Sequence, residues 1–380
     1  MSKFTLIICN LLLQFALLSP CKADNVNCNG IRVSLLTCSS GGELYTAYGH
    51  SAIRVTDANL GLDVVFNYGT FDFDTPFFYL NFLNGTLDYM LSTSNYDRFL
   101  HSYQRERRGV VENELILSNS QRELIERLLI ENLSPENRFY RYDFFFDNCA
   151  TRIRDIVFKT TRIDKSPFCK VDSVSFRDCL HDKVGPDEWS GFGIDLILGV
   201  RADAKTSLYD KAMLPDNLLL LMSEASLAKA PSVLLENCTA VDKGGVFKPR
   251  IVFALLFILT VVLTVAECVW RKWFKYYDVA LSVCLAILSV IFWYLWVISD
   301  IRITSYNLNV LWASLLYIPL AYAIVKSNKN LIKGLVYANL VFLVVFSGVV
   351  IAGVQYASIS ILLIVSSVAI RNIAILHRLQ

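Results

Sequence analysis

Two regions of this chain carry different hydrophobic patterns. Residues 28–246 mix polar and apolar positions as a globular sequence does, whereas from Ile251 onward long apolar runs follow one another. The runs lie near 251–269, 279–298, 308–325, 335–354 and 357–375. Each approaches the roughly 20 residues a helix needs to cross hydrocarbon. In the first region Ile31–Thr37 alternates loosely, as a strand does, until Cys38-Ser39-Ser40-Gly41-Gly42 breaks it. His50–Val55 and Val64–Tyr68 are short β-type runs, and the polar connection Thr56–Asp63, with Asn59 and Gly61, predicts a hairpin. Over Ser118–Asn132 the period changes: Leu124, Ile125, Leu128 and Leu129 recur at helical spacing, and Ile153, Ile156 and Val157 continue such a pattern after Asp147. Pro167, Pro186, Pro215 and Pro231 punctuate the irregular remainder. The pattern therefore predicts an α+β domain over 24–246 and a transmembrane region of five helices over 247–380.

The N-terminus adds a third segment. Lys3, the apolar stretch Phe4–Leu18 and Ser19-Pro20-Cys21-Lys22-Ala23 have the form of a secretory signal peptide, residues 1–23, with an uncleaved anchor as the alternative. Cys21 invites a lipoprotein signal, but Pro20 before it fits that poorly. Charges between the spans agree with export. Arg271, Lys272 and Lys275 follow the first span, Lys326, Lys329 and Lys333 the third, and Arg371 and Arg378 lie near the C-terminus; the alternate connections hold little beyond Arg302. Basic residues stay on the cytoplasmic side, which puts the C-terminus there and residues 24–250 outside. Lys248 and Arg250 are exceptions to that count.

Composition narrows the chemistry. The chain has 380 residues, 54% of them hydrophobic, and a net charge of +2. So small a charge gives no footing for nucleic acid. No glycine-rich phosphate loop and no metal-ligand spacing stands out, so no cofactor is expected. Export makes disulfides possible, and Cys169 with Cys179 is the nearest pair. The four histidines, His50, His101, His181 and His377, limit the choice of a base. Cys149 follows Asp147, a natural N-cap, and so falls in a first helical turn. Free N–H groups and the helix dipole favour a thiolate there, with Arg152 and Arg154 nearby. A buried structural cysteine is the plainer reading of the same position. Cys38, beside a Gly-Gly loop, is the rival nucleophile, and His101 in a charged stretch is the rival base.

A histidine leading a strand, then a hairpin strand, then Asn148-Cys149 opening a helix about 80 residues on resembles the circularly permuted papain-like group of NlpC/P60 hydrolases and lecithin–retinol acyltransferases. A longer likeness joins Tyr48–Val55, Val65–Phe73, Pro135-Glu136-Asn137-Arg138 and Tyr142–Asp155, followed by membrane spans. It resembles the Bacteroides-type lipoprotein N-acyltransferases, inner-membrane proteins with a periplasmic domain. That resemblance implies a permuted papain-like domain, Cys149 as nucleophile and His50 as its base and acid. It also implies a phospholipid acyl donor and a diacylated lipoprotein as acceptor. A third group must fix the imidazole. Counting across the hairpin puts Asn67 or Tyr68 opposite His50, and Asn67 is preferred, then Asp72. A cell-wall peptidase of the same fold and a non-enzymatic membrane-anchored module are the alternatives. The site is expected to open toward the membrane, with Phe144, Phe145 and Phe146 as candidates for its lining and a plain core role as the alternative for them.

Overall fold

A computed structural model of the chain describes residues 30–238, 245 and 247–379; the leader expected over 1–23 lies outside them. Strands β1 (Ile31–Cys38), β2 (His50–Asp57) and β3 (Leu62–Thr70) run consecutively and antiparallel. Then come α1 (Phe78–Asn84), β4 (Asp88–Asn95), α2 (Tyr96–Arg105), β5 (Val110–Glu114), α3 (Asn119–Leu133), β6 (Phe139–Arg141) and α4 (Cys149–Thr161). Beyond them are β7 (Val171–Ser175), α5 (Phe176–Val184), α6 (Trp189–Ile197), β8 (Lys205–Ser207), α7 (Leu208–Lys211), α8 (Pro215–Glu224) and β9 (Ser232–Leu235). Seven strands form one sheet in the order β6-β4-β3-β2-β1-β5-β9.

Strand periodicity sorts the core into two layers. Val33, Leu35, Ile53, Val55 and Phe66 point to α3, α4 and α8, where Ile125, Leu129, Ile153, Val157, Leu218 and Leu221 close the main core. Leu36, Cys38, Ala52 and Val65 point the other way, onto Phe99 and Tyr103 of α2. The expected hairpin is β2–β3, and the expected helix at 118–132 is α3, capped reciprocally by Ser118 and Gln121. Cys169 and Cys179 are not joined. Cys179 packs into a small core with Phe145 and Phe176, while Cys169 lies exposed at the end of a short 3₁₀ turn.

The C-terminal part is helical: α9 (Pro249–Trp270), α10 (Lys275–Val297), α11 (Tyr317–Lys326), α12 (Lys329–Ile351) and α13 (Ile359–Leu379). Four of these, all but α11, are long and apolar enough to cross a membrane. The stretch expected as a third span, 308–325, is α-helical only in its second half, after a 3₁₀ turn at Leu308–Val310. At 1.5 Å per residue α11 covers about 15 Å, half the hydrocarbon. Its approach is irregular because polar side chains take the hydrogen bonds a helix would use. Asn307 Oδ1 accepts from the Asn309 N–H at 3.0 Å, and Asn309 Oδ1 accepts from Trp312 Nε1 at 2.8 Å. Non-helical backbone near a membrane needs such internal satisfaction.

Several contacts seat the sheet domain on these helices. Asn307 Nδ2 donates to the Leu196 carbonyl at 2.7 Å, and Asn309 Nδ2 to that of Asp195 at 3.0 Å. The Asp300 N–H donates to the Asn84 carbonyl at 2.8 Å. Lys248 pairs with Glu188 and Arg250 with Asp187, both at 2.8 Å. The two basic residues that break the charge pattern thus serve the joint between domain and first span.

Candidate active site

Helix α4 begins at a fully bonded cap. Asn148, not Asp147, is the N-cap: its Oδ1 accepts from the Ala150 and Thr151 N–H groups at 2.8 and 2.9 Å. Its Nδ2 donates to the Phe144 and Met213 carbonyls at 2.6 and 2.8 Å. Asp147 instead holds Arg152 in a two-bond ion pair at 2.6 and 2.8 Å, and Arg154 pairs with Asp155 at 2.8 Å. Neither arginine is therefore a free cation for the thiol.

Cys149 is the first residue of α4 and only 9% exposed. Burial raises its thiol pKa, and the backbone N–H groups of Ser51, Ala150 and Cys149 itself act in the opposite direction. Ser51 follows His50 on β2, so the sulfur abuts the backbone of the strand end that carries the histidine. Straight register from Ile53↔Phe66 runs Gly69, not Asn67, opposite His50. Asn67 is the diagonal neighbour on the same face, where cross-strand side chains still meet. His50 Nε2 lies 3.3 Å from Asn67 Oδ1. That bond requires the Nε2–H tautomer and leaves the Nδ1 lone pair to take a proton. Tyr68 faces the other way, its hydroxyl accepting from Asn132 Nδ2 at 2.7 Å. Asp72 is exposed and bonded to the N–H of Asp74.

A bulge sets this corner. The β3–β4 register shifts between Asn67 and Thr70, with Gly69 at φ +86°. Bulges re-aim side chains beside active sites. A methyl group at Gly69 would lie 3.8 Å from Cys149 Cβ, 3.9 Å from the Tyr140 hydroxyl and 3.5 Å from the Tyr142 ring. Tyr140 is buried, its hydroxyl has no hydrogen-bond partner, and Arg152 covers its ring at 3.5 Å. An unpartnered buried hydroxyl beside a thiol is a donor in search of an acceptor. Sequence pattern did not single out Tyr140 or Gly69; the Tyr140–Tyr142 alternation before Cys149 was the available signal.

The rivals fall away on position. Cys38 is wholly buried on the α2 side of the sheet, and burial pushes its thiol up to about 12. His101 is exposed on α2, its Nδ1 2.7 Å from the Asp97 carbonyl. Phe145 is core, Phe144 packs on Tyr48, and Phe146 is exposed against Phe176. Among the described residues no group of three His, Cys, Asp or Glu side chains is placed to hold a metal ion.

Burial, with the Arg108 charge added, lowers the His50 imidazole to about 4, against a raising effect of the Asn67 bond. At neutral pH the free protein thus holds a neutral imidazole and a neutral thiol, not an ion pair. Alkylation of Cys149 by iodoacetamide, read on its peptide by mass spectrometry, is expected to keep rising with pH past the range of an ordinary thiol, because burial holds the thiol protonated. A thiolate–imidazolium pair would instead give a rate that levels off in mildly acidic solution.

Two family models match the chain: the Lnb N-terminal periplasmic domain over residues 20–173 and the Lnb transmembrane domain over residues 241–380. No curated protein and no solved structure matches it. The first matched stretch contains His50, Asn67, Tyr140 and Cys149, and the second contains all of α9 to α13. Matched in this order by both models, the chain belongs to the Lnb family of inner-membrane proteins with a periplasmic domain.

Proposed function

We propose that this protein is a lipoprotein N-acyltransferase that carries the acyl chain as a thioester on Cys149. One observation supports the reading above others: a thiol at a helix start, bonded by backbone N–H groups that include Ser51, lies at the strand end that carries an imidazole oriented by Asn67, in a family member that also holds membrane helices. The order of histidine strand before cysteine helix supports a permuted papain-like domain. The division into a leader (1–23), a periplasmic domain (24–246) and a membrane region (247–380) with a cytoplasmic C-terminus belongs to the same reading.

His50 Nδ1 takes the thiol proton as sulfur attacks a phospholipid ester carbonyl. The Cys149 N–H and the Tyr140 hydroxyl stabilise the resulting oxyanion. Collapse breaks the ester C–O bond, and His50 returns the proton to the leaving oxygen of the lysophospholipid. The α-amino group of a diacylated lipoprotein then attacks the thioester. His50 accepts the amine proton, an amide forms, and the thiolate leaves and is reprotonated. A nearly buried sulfur favours the amine over water. A bundle of long apolar helices counts against a peptidase, whose polymer substrate needs no bilayer.

The test uses full-length protein in vesicles of acyl-labelled phospholipid with a synthetic diacylated lipopeptide. One amide-linked acyl group per lipopeptide and an equal amount of lysophospholipid are expected. Release of free fatty acid alone, or cleavage of peptidoglycan stem peptides instead, refutes the reading.

A further inference from the structure

Helix α1 carries Phe78-Tyr79-Leu80-Asn81-Phe82-Leu83-Asn84 and buries none of these residues. Tyr79 is 78% exposed, and Leu80, Phe82 and Leu83 are also exposed. Phe77, just before it, is 80% exposed and held at φ +57°, a region that bulky side chains seldom occupy. So much contiguous exposed apolar surface marks a contact with something apolar.

The position of α1 identifies the partner. Its C-terminal end is tied to the segment immediately after α10, a helix able to cross a membrane. The Asp300 N–H donates to the Asn84 carbonyl at 2.8 Å, and Ser299 Oγ to the Leu83 carbonyl at 2.7 Å. Tyr294, in the last turn of α10, donates to Asn84 Oδ1. Trp293 and Trp296 stack in that turn, at the level where aromatic side chains mark the edge of a bilayer. The exposed face of α1 therefore continues the lipid-facing surface of the spans.

An aromatic track leads inward from the same helix. Phe82 stacks on Phe78, Phe78 lies 5.8 Å from Phe71, Phe71 lies 5.3 Å from Tyr89, and Tyr89 stacks on Tyr142 at 4.3 Å. Tyr142 in turn borders Gly69, beside Cys149.

We propose that α1 lies in the periplasmic leaflet and admits a phospholipid acyl chain along the track from Phe82 to Tyr142 toward Cys149. The route to the thiol rests on the acyltransferase reading; the seat of α1 in lipid does not. An apolar chain following rings from hydrocarbon to the site avoids water throughout, which a transfer through solution cannot do.

Two measurements on full-length protein in vesicles of phosphatidylethanolamine and phosphatidylglycerol test this. Benzoylphenylalanine replaces Tyr79 in one sample and Leu60, exposed at the far hairpin turn, in another. Photolysis is expected to attach phospholipid at position 79 at least tenfold more than at position 60, and equal yields overturn the lipid seat. Second, the double substitution Tyr79→Asp and Phe82→Asp is expected to slow acyl loading of Cys149 from the vesicles at least tenfold. Iodoacetamide labelling of Cys149 in that variant reports whether its site is intact. Unchanged loading overturns the route. Failure of the unsubstituted protein to load Cys149 instead refutes the acyltransferase reading, and the photolysis result still decides where α1 sits.

Discussion

Cys149→Ser is expected to abolish acyl transfer, by at least about ten-thousandfold, while the protein remains folded and inserted. The substitution is nearly isosteric at a buried helix start, so the cap made by Asn148 survives it. What fails is proton removal. A neutral imidazole whose pKa sits at about 4 is a weak base for a thiol and a far weaker one for an alcohol. Thiolate character is also what lets sulfur leave again when the amine attacks. Tyr140→Phe separates stabilisation of the oxyanion from nucleophilic attack. It removes one hydroxyl that has no structural partner to lose, so stability should hold while the rate falls about a hundredfold or more. Acyl-thioester formation, read by intact-protein mass spectrometry, checks both. Normal transfer by the serine variant would end the covalent mechanism; normal transfer by the phenylalanine variant would return Tyr140 to a packing role.

The second large effect lies at the opposite end of the membrane region. Arg371 of α13 is buried and bonds Asp278 of α10 at 2.7 and 2.9 Å and Glu267 of α9 at 2.9 and 3.0 Å. Trp273 Nε1 and the Phe274 N–H add second bonds to Asp278 Oδ2 and Glu267 Oε1 at 2.7 and 2.6 Å. One side chain therefore clasps three helices. Arg371→Leu leaves two buried carboxylates without their cation, and a loss of about 3–5 kcal/mol is expected. Replacing Arg371, Glu267 and Asp278 together by leucine removes the charges as a set and should recover most of it, since a buried ion pair seldom exceeds an apolar replacement in stability. Thermal unfolding in detergent, followed by helix content, measures both. A single variant as stable as the parent would show that the clasp holds nothing together.

Much of this was legible in one dimension because its physical causes are local. Hydrophobic period separates β1 to β3 from α3, and uninterrupted apolar runs identify α9, α10, α12 and α13. The capped thiol at 149 and the strand-leading histidine at 50 could be named from neighbouring residues alone. The cap itself was misplaced by one residue. Asp147 and Asn148 are equally good cap types, and only the carbonyls of Phe144 and Met213, the second of them 65 residues away, favour the asparagine. The stretch expected as a span over 308–325 is α-helical only over Tyr317–Lys326 for a related reason. Asn307 and Asn309 look like minor interruptions until Leu196 and Asp195 of the sheet domain supply partners that hold the backbone out of a helix.

What the sequence alone determined is therefore the set of elements and the division between globular and membrane parts, with His50 and Cys149 as candidates for the site. Each follows from periodicity, length or nearest-neighbour chemistry. Tertiary structure decided the rest, because it depends on groups brought together from distant positions. The bulge at Gly69 let Asn67 reach the imidazole diagonally and put the unpartnered Tyr140 hydroxyl near the thiol. Packing left Cys38 a buried core thiol and kept Cys169 apart from Cys179. Arg371, read from its position as a charge at the membrane surface, became the buried centre of a three-helix clasp, since only the assembled bundle brings Glu267 and Asp278 to it.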